Sequence, residues 1–582
     1  MTSEVRNKTL INKKDLKESV KLKGFIGSIL AAIAMPVLSL NKINKFYDKC
    51  YHNDFQIFLD NTFKYNNNSI KFLKTDLNNI PDKVPIVFIA NHPLGGWDGL
   101  ALIKILSKKR PDVKFVVNFL LEKIAPLKQY FIGVNPFEKN KALFSSYKGI
   151  REMHSYLQNG NSLAFFPAGE VSTNYGKLKR VEDRAWQNNI IKFIKQSNVY
   201  VVPVYINDKN SPFFHFLGRI HPSLRTLRLP QELINKKNSD IKIRFGYPIH
   251  INAFKNITKI KQLGKTLKSI TYCLNTNVEE SSEFSKDHIA QHIIETIPAN
   301  LLIGEINEIS KEHKLFSAEN YSCFFAPTNK IPNIFKEISR LRELTFRTIG
   351  EGTGQEFDND KFDKYYNHLF IWDDEKNCIV GAYRIGMGKE IIDNYGINGF
   401  YLNTLFNFKK EFETYLSNSM ELGRSFIVQD YQRKTLPLFL LWRGINNVTM
   451  MYPDYKYLIG PVSISSLFST NSKILLLEFL KRNYNDPKIS KLISPRLEFK
   501  YKLNHHHKII LDSVGNDINK MDKIIKCIDI NKFNIPILIK KYMSLGGIIT
   551  EFNVDPDFNF SIDGLVILDI NKVSEEVKKS YS

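Results

Sequence analysis

Short apolar runs alternate with longer amphipathic ones between residues 84 and 250, and this alternation most constrains the fold. VPIVFIA (84–90), VKFVVNF (113–119), SLAFFPA (162–168), VYVVPVYI (199–206) and IKIRFGYPI (241–249) have strand length and composition. Between them, GLALIKILSKK (99–109), ALFSSYKGIREMHSYLQ (142–158) and RAWQNNIIKFIKQ (184–196) repeat their apolar residues at helical spacing. Strands and helices in strict alternation bury each other best as a mixed or parallel sheet covered by helices. The fold class expected is therefore α/β.

At 582 residues the chain exceeds one ordinary core, and the pattern breaks where that would require. Residues 251–327 turn polar and helical, and 276–288 lose any apolar period, which marks a linker over 276–290. A second α/β region follows. NHLFIWDD (367–374) and CIVGAYRIG (378–386) read as a hairpin, MELGRSFIV (420–428) as a strand and TLPLFLLWRGINNVTMM (435–451) as a helix. Toward the end come a helix in IPILIKKYMSLGG and a strand in SIDGLVILDI. The organisation expected is a helical segment over 1–50, one α/β domain over 51–275, the linker, and a second α/β domain over 291–582.

Lys and Arg outnumber acids 82 to 59, a formal charge of +23. That charge selects partners rather than a fold: nucleic acid, an anionic membrane surface or an acidic protein. The aromatic residues show no stacking pattern for nucleic acid, and the charge is spread along the chain, so nucleic acid is set aside. Five cysteines without a CxxC pair argue against disulfides and zinc. The mixed-charge start is no secretory signal. Phe25–Leu40 (FIGSILAAIAMPVLSL) is apolar, flanked by Lys21, Lys23, Lys42 and Lys45, kinked by Pro36, and short of the ~20 residues that span a bilayer. It reads as a helix lying in an anionic membrane interface, with a buried globular helix as the alternative.

The first candidate site is IANHPLGGWDG (89–99). A His ending a strand stands where open α/β sheets hold ligands, and Asp98 is placed to orient it if the Gly95–Gly96 turn folds back. The competing reading has His92 capping a turn and Asp98 capping a helix. With FFPAGEVS (165–172) and Val202-Pro203, the segment resembles the PlsC-like glycerolipid acyltransferase family. Asn91, His92 and Asp98 match its first motif with one extra intervening residue, and Phe166-Pro167-Ala168-Gly169 with Glu170 matches its third with the acid displaced. The resemblance implies that His92 is the general base on an acceptor hydroxyl and Asp98 its orienter, with Asn91, Gly169 and Glu170 shaping the acceptor site. The family's phosphate-gripping Arg has no counterpart in FIGVNPFEK (131–139), which implies an acceptor without phosphate.

The second constellation is RLRELTFRTIGEG, an acidic run ending in His368-Leu369, VGAYRIG and ELGRS. Buried charges beside apolar strands need partners; the alternative is a set of surface ion pairs. The order resembles the N-acyltransferase side of the GNAT superfamily, near acyl-homoserine-lactone synthases and ornithine lyso-lipid synthases. It implies substrate binding by Arg342, Glu351, Asp358, Asp363, His368, Arg384, Arg424 and Ser425, with Glu421 catalytic. QDYQRKTLP (429–437) lacks the glycines of a CoA-pyrophosphate turn, and Arg433 and Lys434 suit an acidic acyl carrier protein. NHHHK (504–508) reads as a solvated loop, so no metal is expected.

Together the two halves resemble bifunctional ornithine-lipid synthases. The expectation is N-acylation of an amino acid, ornithine, by a 3-hydroxyacyl thioester (acyl-ACP or acyl-CoA), then O-acylation of the 3-hydroxyl, with no cofactor. The expected partners are acyl carrier protein, anionic lipids, the amino acid and a lyso-lipid, at the cytoplasmic face of the inner membrane. Glycine-lipid synthesis, a lysophospholipid acyltransferase with an accessory C-terminal half, and a non-catalytic hemolysin-like membrane binder stay open.

Overall fold

The structure, a computed structural model, describes residues 10, 39–134, 143–175, 180–276 and 290–580. Apart from Ser39 and Leu40, the apolar segment Phe25–Leu40 lies outside them, as does most of the 276–290 linker. Among the described residues no helix is long and apolar enough to cross a membrane. The chain forms two compact units. The first takes the described residues up to 276 together with 504–515 and 526–532; the second takes 290–503, 516–525 and 533–580.

In the first unit, α1 (Leu40–Cys50) precedes a mixed sheet of β1 (Ser69–Phe72), β2 (Ile86–Ala90), β3 (Val113–Asn118), β4 (Phe131–Val134), β5 (Ser162–Phe165), β6 (Tyr200–Asn207) and β7 (Asp240–Phe245). Its order is β1-β7-β6-β2-β5-β3-β4, and Ile249–His250 pairs with β6. Every pair along that order is parallel except β6–β7. All five residues of β2 are buried, as a strand covered on both faces requires. Helix α2 (Gly96–Lys109) leaves β2 through the glycine turn; α3 (Pro212–Ile220) and α4 (Pro222–Asn235) connect β6 to β7, and α5 (Ile260–Cys273) closes the contiguous part.

The remaining part comes from far along the chain. Residues 504–515 are expected in the second domain, with 505–507 in a solvated loop. Instead Asn504 caps a helix, His505–Val514, by accepting the His507 N–H, and His506 and His507 are buried. His506 stacks on Tyr272 of α5 at 4.9 Å between ring centroids and lies 3.2 Å from both Ser269 Oγ and Glu182. An Asn at the N-cap followed by an apolar period is a helix start, and that signal outweighs the polarity of three imidazoles.

The second unit is an eight-stranded sheet of β8 (Lys314–Ala318), β9 (Tyr321–Pro327), β10 (Asn367–Asp373), β11 (Cys378–Met387), β12 (Ser419–Ile427), β13 (Tyr457–Ile464), β14 (Ile548–Asp555) and β15 (Ser561–Asp569), in the order β8-β9-β10-β11-β12-β13-β15-β14. Helix α6 (Pro332–Thr348) lies before β10, and α7 (Thr435–Met451) joins β12 to β13. Only β12 and β13 run parallel, and they pair for three residues, Ser419–Glu421 against Tyr457–Ile459. Beyond that point β12 stays with β11 while β13 stays with β15, so the sheet opens between them.

Candidate active sites

In the first unit, the chain leaving β2 is fixed residue by residue. Asn91, expected to bind substrate, is instead committed to the sheet: its Nδ2 donates to Ile206 O at 3.0 Å and its Oδ1 accepts from Ile206 N at 2.7 Å. The turn then reverses through Gly95 at φ +76°, a backbone region glycine enters without steric cost. This brings Asp98, the third residue of α2, back under His92. Asp98 Oδ2 lies 2.8 Å from His92 Nδ1 and accepts the Leu94 and Gly95 N–H groups at 2.8 and 3.0 Å. The carboxylate thus caps the helix and orients the imidazole at once.

Because Asp98 Oδ2 is an acceptor throughout, His92 Nδ1 carries the hydrogen and Nε2 is left as the base. Burial raises the Asp98 pKa, while the His92 ring and the two backbone donors work against that shift. The His92 ring stacks on Phe166, 4.2 Å between centroids. Its backbone is held on both sides: His92 N donates to Asp183 Oδ1 (3.1 Å), and Ser172 N donates to His92 O (2.8 Å).

Asp183 escaped the sequence reading. It is fully buried and also accepts from Ser172 Oγ (2.6 Å) and Trp186 Nε1 (3.0 Å). The signal was an acid three residues before a tryptophan in RVEDRAW. Gly169 sits at φ +69°, where a Cβ would lie 1.8 Å from Gln187 Nε2. Glu170 is salt-bridged to Arg225 of α4 at 2.6 Å and lies 3.5 Å from Arg184, so it ties α4 to the motif loop. Glu182, His505 and His506 place ligand atoms within 4.8 Å of one another. Arg180 at 2.9 Å and Lys268 at 3.5 Å also pair with Glu182, so its carboxylate is already shared with two cations.

In the second unit the expected residues divide. Arg342 meets Asp363 through two N–H groups at 3.1 Å and also bonds the Asp358 carbonyl; Arg384 reaches Asp360 at 2.6 Å and Asp363 at 3.2 Å. Burial pushes the Asp363 pKa up, but Arg342 and Arg384 prevail and hold it well below the usual range. His368 is buried with Nε2 3.0 Å from Thr328 Oγ1, and burial lowers its pKa to about 3, so it stays neutral. Arg342, Asp358, Asp363, His368 and Arg384 thus form a closed ionic wall rather than a binding surface.

Glu421, expected to be catalytic, is also saturated. Its Oε1 accepts from Leu402 N at 2.8 Å, and its Oε2 accepts from the Tyr366 hydroxyl and from Tyr401 N at 3.2 Å. It is a clamp at the last paired position of β12 and β13.

Just past that clamp the opening of the sheet makes a cavity of about 410 Å³, walled by Glu351, Tyr401, Arg424, Ser425, Ser463 and Asp563. Of the expected residues, Glu351, Arg424 and Ser425 reach it. A bulge on β12 presents Arg424 at φ +50°, and bulges beside functional sites re-aim side chains in this way. Asp358 at 3.2 Å, Asp360 at 3.3 Å and the faces of Tyr401 and Phe558 hold its guanidinium.

Asp563 is the second residue the sequence reading missed. It is the one acid in the interior of strand β15, buried in a run that is otherwise mostly apolar, and that isolation was the available signal. Burial, with Asp555 nearby, raises its pKa to about 7, and Ser463 Oγ donates to it at 2.6 Å. Burial, with the Asp563 charge, raises Glu351 to about 8. Two carboxyl groups poised near neutrality beside a fixed cation can hold an amino acid by both ends and take a proton from its amine.

Residues 40–281 match the family model described as an acyltransferase, and residues 341–442 match the acetyltransferase (GNAT) domain. A glycine N(alpha)-acyltransferase of Phocaeicola vulgatus is 29% identical over 301 residues, 49% of this chain and 91% of that protein. A lyso-glycine lipid O-acyltransferase of the same organism is 27% identical over 205 residues, 34% of this chain and 71% of that protein. The 1-acyl-sn-glycerophosphate acyltransferase PlsC of Thermotoga maritima is 16% identical over 45% of this chain and 91% of its own, with a TM-score of 0.25. The protein is an acyltransferase enzyme of α/β fold, with an acyltransferase domain and a GNAT domain in one chain.

Proposed function

We propose that the chain makes a diacylated amino-acid lipid in two steps. The carrying observation is that a buried acid–arginine cavity and a His–Asp pair, one in each domain, supply the chemistries of an N-acyl and an O-acyl transfer. The similar proteins are named for an N-acyl transfer to glycine and an O-acyl transfer to a lyso-glycine lipid.

In the GNAT domain, Arg424 takes the amino-acid carboxylate and Asp563 accepts a proton from the ammonium. The freed amine attacks the thioester carbonyl of a 3-hydroxyacyl donor, the amide forms and the thiol leaves. In the PlsC-like domain, His92 Nε2 takes the proton of the new 3-hydroxyl, which attacks a second thioester. The imidazolium, stabilised by Asp98, returns the proton to the departing thiolate.

The relatives' names favour glycine over the ornithine expected from the sequence. Ornithine remains the second reading because Glu351, which a one-amine substrate does not need, suits a side-chain ammonium. The donor proposed is acyl carrier protein: the turn before α7 lacks glycine, and Arg433 and Lys434 are exposed there. The setting proposed is a cytoplasmic membrane face, where anionic lipid meets the +23 charge.

Expression in a host without aminolipids, followed by mass spectrometry of extracted lipids, tests this. New mono- and diacylated glycine lipids are expected, and ornithine counterparts would establish the second reading. Absence of any new amino-acid lipid from a well-expressed chain would overturn both.

A further inference from the structure

The hairpin of α3 and α4 turns five large apolar side chains outward. Phe213, Phe216 and Ile220 are 49, 53 and 59% exposed, and Leu224 and Leu227 are exposed beside them. Phe214 and His215, on the opposite side of α3, are buried, so α3 is amphipathic and correctly packed. A run of large exposed apolar residues on one hairpin is a surface that meets something.

Its charge says what. Residues 211–229 contain three arginines and no acid. Arg219 is exposed; Arg228, half-buried and 3.4 Å from Glu232, lies over the Phe213 ring at 5.1 Å, while Arg225 is buried on Glu170. Exposed aromatic and aliphatic side chains with Arg219 and Arg228 at their edge and no exposed acid among them suit a segment seated in an anionic lipid interface.

The same hairpin is bolted to the acyl-transfer machinery. Trp97 Nε1 donates to Leu233 O at 2.9 Å, which latches α4 to the helix that carries Asp98. Leu229 and Leu233 pack on Gly95 and Gly96 of the catalytic turn, and Arg225 pairs with Glu170. Ser39, where the apolar segment Phe25–Leu40 meets α1, donates to Gln231 of α4 at 2.6 Å.

We infer that the α3–α4 hairpin is the docking surface by which the PlsC-like domain sits on an anionic bilayer and receives a lipid-borne acceptor beside His92. This rests on the proposed O-acylation of a lyso-lipid, but the surface itself is tested without it.

The full chain and a Phe213→Ser/Phe216→Ser/Ile220→Ser variant are sedimented with vesicles of equimolar phosphatidylcholine and phosphatidylglycerol, and with phosphatidylcholine alone. The native chain is expected to partition onto the anionic vesicles, and the variant at least about 30-fold less. Arg219→Glu/Arg228→Glu is expected to lose the preference for anionic over neutral vesicles. O-acylation of a vesicle-borne lyso-lipid should fall with binding in the triple variant, while N-acylation of soluble amino acid is unchanged. Equal vesicle binding by the triple variant and the native chain overturns the docking surface, whether the hairpin is covered by residues 11–38 or by a second copy. Normal binding without any O-acylation by the native chain would instead overturn the proposed reaction.

Discussion

Asp563 and Glu421 are both buried acids, on strands that flank β13 from either side, and what separates them is who occupies their oxygens. Glu421 accepts three protein donors; Asp563 accepts one from Ser463 and borders the cavity. Asp563→Asn is therefore expected to abolish N-acylation, by about 100-fold or more, with thermal stability retained. Glu421→Gln is expected to destabilise the GNAT domain by about 1–3 kcal/mol, because one accepting oxygen becomes a donor facing a donor. Paired thermal melts and rate measurements separate the two. Glu351 gives a pH test. Burial raises its carboxyl from the ordinary 4.5 to about 8 on folding. The folded state binds the extra proton, so its contribution is full below the unfolded pKa and is lost as pH rises toward 8. Glu351→Gln should flatten this decline and gain about 1–3 kcal/mol over the native chain at pH 8, measured by denaturant unfolding at pH 5 and pH 8. The sequence motif around Glu421 was legible, but its role was not, because motif spacing carries no record of which neighbours fill an oxygen.

At the scale of elements, the strand–turn–helix from β2 to α2 was readable because its signals are local: a buried apolar run, two glycines and an acid at the helix start. The opening between β12 and β13 was not, since it depends on pairing that stops after Glu421 and on a bulge at Arg424. The helix His505–Val514 is the clearest miss. Three successive histidines suggested solvent, yet burial holds His505 and His507 near a pKa of about 4, with His506 lowered as well, so all three pack as neutral rings. His506→Ala removes the stack on Tyr272 and leaves Glu182 one partner short. The expected result is a loss of about 1–3 kcal/mol from the PlsC-like domain, read by limited proteolysis within residues 39–276. The hydroxyl of Tyr272 accepts from Asp183 N, so O-acylation should fall as well while N-acylation does not.

At the scale of the molecule, two α/β domains, one matching an acyltransferase and one a GNAT model, were legible from ordered motifs, and the boundary was placed by composition. Composition did not show that the first unit borrows 504–515 and 526–532 from the end of the chain. Lys532, from the second of these stretches, salt-bridges the buried Asp76 at 2.8 Å, beside Arg244. A chain ending at Leu503 is accordingly expected to lose O-acylation as well as N-acylation, and to be recovered mostly as aggregate. A soluble, O-acylating product would contradict that. The central claim, two successive reactions at two sites, is tested most directly by complementation in one vessel. Purified His92→Ala and Asp563→Asn chains are each supplied with 3-hydroxyacyl and acyl thioesters of acyl carrier protein and with glycine, and the products are resolved by mass spectrometry. The account predicts that His92→Ala stops at the monoacyl amide, that Asp563→Asn makes no amide, and that the mixture yields the diacyl lipid. Arrest of both variants at the same species, or diacyl lipid from either alone, would contradict it.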